Sequence, residues 1–151
     1  MSEYGDNVWA ELEDMGDGVS GRRLRRDEGA RLVAAVWELG PHSDGVGYHF
    51  HHGTEELLIV LRGRPTLRGA DGDRQLAEGE VVHFPPGPAG AHWLSNPTDE
   101  PVRYVMAQGP AQAKLDIVEY PEEGTFAAFA RTNSQHGEPF DVRDNLQRQE
   151  P

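Results

Sequence analysis

Residues 47–63 read GYHFHHGTEELLIVLRG. The second half, EELLIVL, is short, aliphatic and β-branched, the composition of a pleated strand, and it closes at Gly63. Side chains alternate faces along a strand, so Glu56, Leu58 and Val60 share one face while Glu55, Leu57 and Ile59 take the other. The same rule turns His49 and His51 in one direction, about 6–7 Å apart at the backbone, and sends His52 the opposite way. A His-x-His pair alone is common on solvated strands and says little. Here it stands beside a carboxylate on an otherwise aliphatic strand, and an ionised Glu buried among Leu and Val is costly unless a positive charge compensates it. A divalent cation would do so. Were the strand register to slip by one residue, Glu55 would take the place of Glu56.

The surrounding chain has the same texture. RLVAAVWEL (31–39), RPTLRG (64–69), GEVVHFP (79–85), AHWLSN (91–96) and PVRYVMAQ (101–108) are short apolar runs, each ended by Gly, Pro, Asn or Asp, and FAAFA (126–130) reads as one more strand. GADGDR at 69–74 is a tight hairpin turn between antiparallel strands. The pattern predicts an all-β sandwich or barrel. Residues 1–28 end in the charged run GRRLRRDEG, lack a helical stripe, and read as an N-terminal arm; residues 29–130 form the barrel; residues 131–151 form a polar C-terminal tail with too few apolar residues to fold alone. No fixed-period repeat points to a solenoid or propeller.

At 151 residues, with 18 Gly and 11 Pro, the chain suits one turn-rich core rather than two. Its formal charge of -12 repels phosphate backbones and anionic headgroups, so neither nucleic acid nor membrane is an expected partner. The absence of cysteine excludes disulfides and thiolate metal sites, and leaves only N and O ligands for an ion. The acidic start MSEYGDNVWAELEDMGDG has neither the basic nor the apolar region of a secretion signal, and no run approaches a membrane span, so a cytoplasmic setting is expected.

His49, His51, Glu56 and Gly63 resemble the first cupin motif, His-x-His, three or four residues, Glu, six residues, Gly. Gly79, Pro85, Gly87, His92 and Asn96 are similar to the second, Gly, five residues, Pro-x-Gly, a short spacer, His, three residues, Asn. Two departures concern loops: Ser43 stands where the first motif opens with Gly, and four residues rather than two precede His92. The resemblance, over about residues 30–121, is to small single-domain bacterial cupins. It implies a jelly-roll-like antiparallel barrel, the double-stranded β-helix, holding one divalent ion (Fe, Mn, Ni or Zn) through His49, His51, Glu56 and His92. It also implies a small-molecule ligand and pairing into a homodimer.

Trp37, Tyr104 and Met106 fall on strands flanking the expected lumen and are candidate substrate-binding walls, although such residues on strands are more often plain core. Three imidazoles and a carboxylate leave open positions on an octahedral ion. That suits a mononuclear metalloenzyme of isomerase, dioxygenase or lyase type acting on a small polar, oxygen-bearing substrate. The same site would also serve a non-catalytic binding or sensor module. Enzyme and sensor differ in whether the lumen holds an acid or base beyond the ligands, for which the sequence offers Tyr104, His83 and Glu38, so the catalytic residues stay unassigned.

Overall fold

The computed structural model describes residues 5–24, 31–109 and 115–130. The strands run β1 (Glu13–Gly16), β2 (Val19–Arg23), β3 (Val33–Leu39), β4 (Ser43–Asp44), β5 (Phe50–His51), β6 (Glu55–Arg62) and β7 (Thr66–Gly69). They continue as β8 (Gly72–Gln75), β9 (Val81–Phe84), β10 (His92–Asn96), β11 (Val102–Gly109), β12 (Leu115–Tyr120) and β13 (Thr125–Ala130). Between β9 and β10 lies one 3-10 turn, Pro88–Gly90. Among the described residues no helix is long and apolar enough to cross a membrane.

One wall is a six-stranded sheet in the order β1-β2-β3-β11-β6-β9. The facing wall comes in two pieces, β4-β10-β7-β8 and β13-β12-β5, and every strand pair is antiparallel. Among the described residues an isolated bridge joins the pieces: the His49 N–H donates to the His92 carbonyl at 3.1 Å, and the His92 N–H donates to the His49 carbonyl at 2.9 Å. Two histidines of the cupin motifs therefore stand opposite each other on the seam of one wall.

Burial along β6 alternates, with Glu56, Leu58 and Val60 inside and Glu55 and Leu57 exposed. The inward face thus passes from a carboxylate to aliphatic side chains within five residues. Leu58 and Val60 join Leu39, Val102 and Tyr104 of the same wall, and Leu67 and Leu94 of the facing one, in the hydrophobic core. Each fully buried aliphatic of this kind contributes about 1.5–3 kcal/mol. The hairpin read at 69–74 is present, with Gly69 paired to Gly72 across its turn.

Residues 13–23, within the segment read as an arm, form the β1–β2 hairpin and extend the six-stranded sheet before residue 29. Its turn is Gly16-Asp17-Gly18, all three at positive φ, a local signal as strong as the one at 69–74 but hidden in a polar stretch. Ahead of it, Asp6 pairs with Arg22 at 2.9 Å, and Arg103 donates to the Val8 carbonyl and lies over the Trp9 ring, so this segment lies along the same sheet. The polar tail at 131–151 lies outside the described residues.

Asn96 ties the ends of the two walls together. Its amide donates to the carbonyls of Leu39, Gly40 and Glu100 at 2.8–3.1 Å, its oxygen accepts from Thr98, and it is 1% exposed. Removing the side chain leaves buried carbonyls unpaired, so Asn96→Ala should destabilise the protein by about 2–4 kcal/mol. Urea unfolding would show this as a lower midpoint at unchanged slope.

Candidate metal centre

His49, His51 and Glu56 are buried, and their ligand atoms all lie within 4.8 Å of one another. His92, 2% exposed on β10, lies beside this group but is not one of the three residues whose ligand atoms are all that close; its Nε2 lies 3.2 Å from Glu56 Oε2, while His51 Nε2 lies 3.4 Å from Glu56 Oε1. Glu56 comes from the six-stranded wall and all three histidines from the facing one, so the cluster spans the gap between them.

Each imidazole is oriented through Nδ1. His49 Nδ1 bonds the Gly47 carbonyl at 2.7 Å, His92 Nδ1 the Gly90 carbonyl at 2.8 Å, and His51 Nδ1 the Asp116 carboxylate at 2.8 Å. A proton held at Nδ1 leaves Nε2 as the ring's free ligand atom. The Phe84 ring stacks on His92 with centroids 3.8 Å apart and fixes its plane. Gly90 makes the preceding turn possible, since a Cβ there would fall 1.8 Å from the Pro85 carbonyl oxygen.

The charges are those of a cation site. Burial, reinforced by the nearby His92, lowers the His49 pKa to about 4, and burial lowers that of His92 as well. For Glu56, burial alone would raise the pKa, but the hydrogen bond from His51 and the positive potential of His51 and His92 hold it down at about 2. Burial would also lower His51, but the hydrogen bonds to Asp116 and Glu56 outweigh it and raise the pKa to about 9. Glu56 Oε1 accepts from the Gln108 amide, whereas the buried Oε2 has no hydrogen bond. An ionised carboxylate with an open oxygen, 3% exposed and faced by imidazole nitrogens, fits a divalent ion bound by N and O donors.

Beside the cluster is a cavity of about 120 Å³ lined by Trp37, Tyr104 and Met106 together with His49, Glu56, His92, Gln108, Leu94, Val19, Val46 and Gly45. The three side chains picked out as walls converge because Tyr104 pairs with Trp37 across β11–β3, and Met106 follows Tyr104 two residues on, on the same face. Other sequence candidates lie outside. His52 bonds Glu119, exposed His83 bonds exposed Glu55, and Glu38 is shared between Arg62 and Arg103. Gln108, Asp116 and Tyr120 escaped the sequence reading. Gln108 extends the period-two series of Tyr104 and Met106 and was legible in it. Asp116 and Tyr120 lie on β12, a strand not read from LDIVEY at all.

Residues 35–108 match the family described as the cupin domain, and this part of the chain is a cupin domain. Among similar solved structures is a sugar phosphate isomerase of the cupin superfamily from Silicibacter pomeroyi, 22% identical, with a TM-score of 0.69 over 76% of this chain and 72% of that one. A Cupin 2 conserved barrel domain protein from Salinispora arenicola is 26% identical, with a TM-score of 0.58 over 74% and 91%. A polyketide cyclase from Streptomyces resistomycificus is 21% identical, with a TM-score of 0.59 over 72% and 80%. No curated protein matches the sequence. The two activities named among these structures differ, so the shared fold leaves the reaction open.

The pKa pattern leaves one proton for a metal to displace. In the metal-free protein at pH 7.5, His51 (about 9) is protonated, while Glu56 (about 2) and His49 (about 4) are not. Zinc uptake at pH 7.5 should therefore release about one proton, and apparent affinity should rise about tenfold per pH unit from near 7 and level off above about 9. Calorimetric titrations in buffers of different ionisation enthalpy measure this directly; proton-neutral binding would contradict it.

Proposed function

We propose that this protein is a mononuclear metal-dependent enzyme in which His49, His51, Glu56 and His92 hold one divalent ion and the adjoining cavity takes a compact, oxygen-chelating substrate. Glu56 carries the reading: an ionised, almost fully buried carboxylate with an open oxygen, faced by imidazoles whose Nδ1 atoms already have partners. A bound ion would supply Lewis-acid polarisation of a substrate oxygen, and redox chemistry if it is iron.

The chain's own residues define the rest. Gln108 holds Glu56 in place, and Trp37, Leu94 and Met106 add apolar lining beside the polar cluster. A fitting ligand therefore carries both oxygen donors and an apolar part. At about 120 Å³ the cavity suits a compact ligand. Burial, and secondarily the Glu56 charge, push the Tyr104 phenol above its usual pKa, so it serves as a hydrogen-bond donor at neutral pH rather than as a base. That same observation favours the second reading, a binding or sensor module, since apart from the cluster itself Tyr104 is the one titratable side chain among the described lining residues.

The test is a panel of small 2-oxo acids, 1,3-diketones and sugar phosphates followed by NMR with metal-loaded and chelator-stripped protein. Conversion that stops on stripping and returns with added metal is expected. Retention of a panel compound that is returned unchanged, in air and without it, would transfer the assignment to the binding module. Assembly as a cytoplasmic homodimer belongs to the same proposal. Leu57 and Val81, exposed on the outer face of the β6–β9 edge, offer apolar surface for a second copy, and light scattering should give twice the chain mass.

A further inference from the structure

The three histidines are not supported alike. His49 and His92 bond carbonyls two residues earlier in their own segments, Gly47 and Gly90, so local backbone sets their rings. His51 has no such local partner for Nδ1; its acceptor is the carboxylate of Asp116, 65 residues further along and beyond the cupin match at 35–108. Strand register explains the meeting. On β12, Val118 lies directly across from His51, so its same-face neighbours two residues either way are Asp116 and Tyr120. Asp116 reaches His51 on one diagonal, and the Tyr120 ring lies 5.6 Å from that of His49 on the other. Both partners of the His51–Asp116 pair are at least nine-tenths buried, which leaves the imidazole one orientation.

We propose that Asp116 is a positioning residue of the metal centre, its carboxylate holding the His51 ring and its Nδ1 proton so that Nε2 is presented to the ion. The hairpin of β12 and β13 is then part of the site rather than an appendage of the barrel. This rests on the reading of His49, His51, Glu56 and His92 as ligands. Outer partners of this kind fix ring orientation and raise ligand basicity, and their loss weakens metal affinity about 10–100-fold.

The same strand supplies the control. Glu119 is likewise a buried acid bonded to a histidine, but on the outer face, where it meets His52. The experiment measures Co²⁺ affinity by chelator competition, together with the visible spectrum of bound Co²⁺, on the full chain. Asp116→Ala should bind about 10–100-fold more weakly with a shifted spectrum, Asp116→Asn should recover most of the affinity because an amide oxygen still accepts, and Glu119→Gln should match the wild type. Wild-type affinity and spectrum in Asp116→Ala would overturn the proposal, as would an equal loss in Glu119→Gln, which would trace the effect to strand docking. If circular dichroism shows that Asp116→Ala does not fold, Asp116→Leu, which keeps the bulk and removes the acceptor, decides: weaker binding with a shifted spectrum supports the role, and wild-type affinity and spectrum overturn it. Failure of the wild type to bind Co²⁺ would instead remove the ligand reading beneath it.

Discussion

A carboxylate buried between two sheets sets the terms for everything around it. Glu56 is 3% exposed on a strand whose next inward residues are Leu58 and Val60, and an isolated charge there would cost several kcal/mol. The barrel answers with imidazole nitrogens from the facing wall at 3.2 and 3.4 Å and the amide of Gln108 from the adjacent strand. Because the carboxylate and the imidazoles come from opposite walls, the polar cluster forms only once the walls have met. The aliphatic core joins the same two walls.

The histidines show two ways of building a ligand. Where the ring proton is taken by a carbonyl two residues earlier, the local turn is sufficient, and the 3-10 turn before His92 both places and orients it. His51 instead relies on a strand from the end of the described chain. The first kind travels with a short motif. The second depends on which strand happens to dock alongside, so it lies outside the segment that marks the superfamily.

The cavity is lined by both the cluster and the hydrophobic core. Trp37, Leu94 and Met106 line it together with His49, Glu56 and His92. This mixed lining follows from the inward alternation along β6 and β11.

How much of this was legible follows from how local each signal is. Alternation in EELLIVLRG, the turn residues between apolar runs, and the two motif spacings sufficed for the all-β barrel and for the grouping of His49, His51 and Glu56, because a period of two and a tight turn are properties of adjacent residues. The same rule would have exposed Gln108, two residues beyond Met106. The strands at 13–23 were hidden because their side chains are mostly polar and their partner, β3, is what makes them a sheet. Asp116 could not be matched to His51 from the sequence, since nothing in LDIVEY records that Val118 will lie across from His51. That pairing is chosen by the packing of the whole barrel: side-chain alternation is written into each strand, but which strand lies beside which, and in what register, is decided only when the surfaces they bury come together.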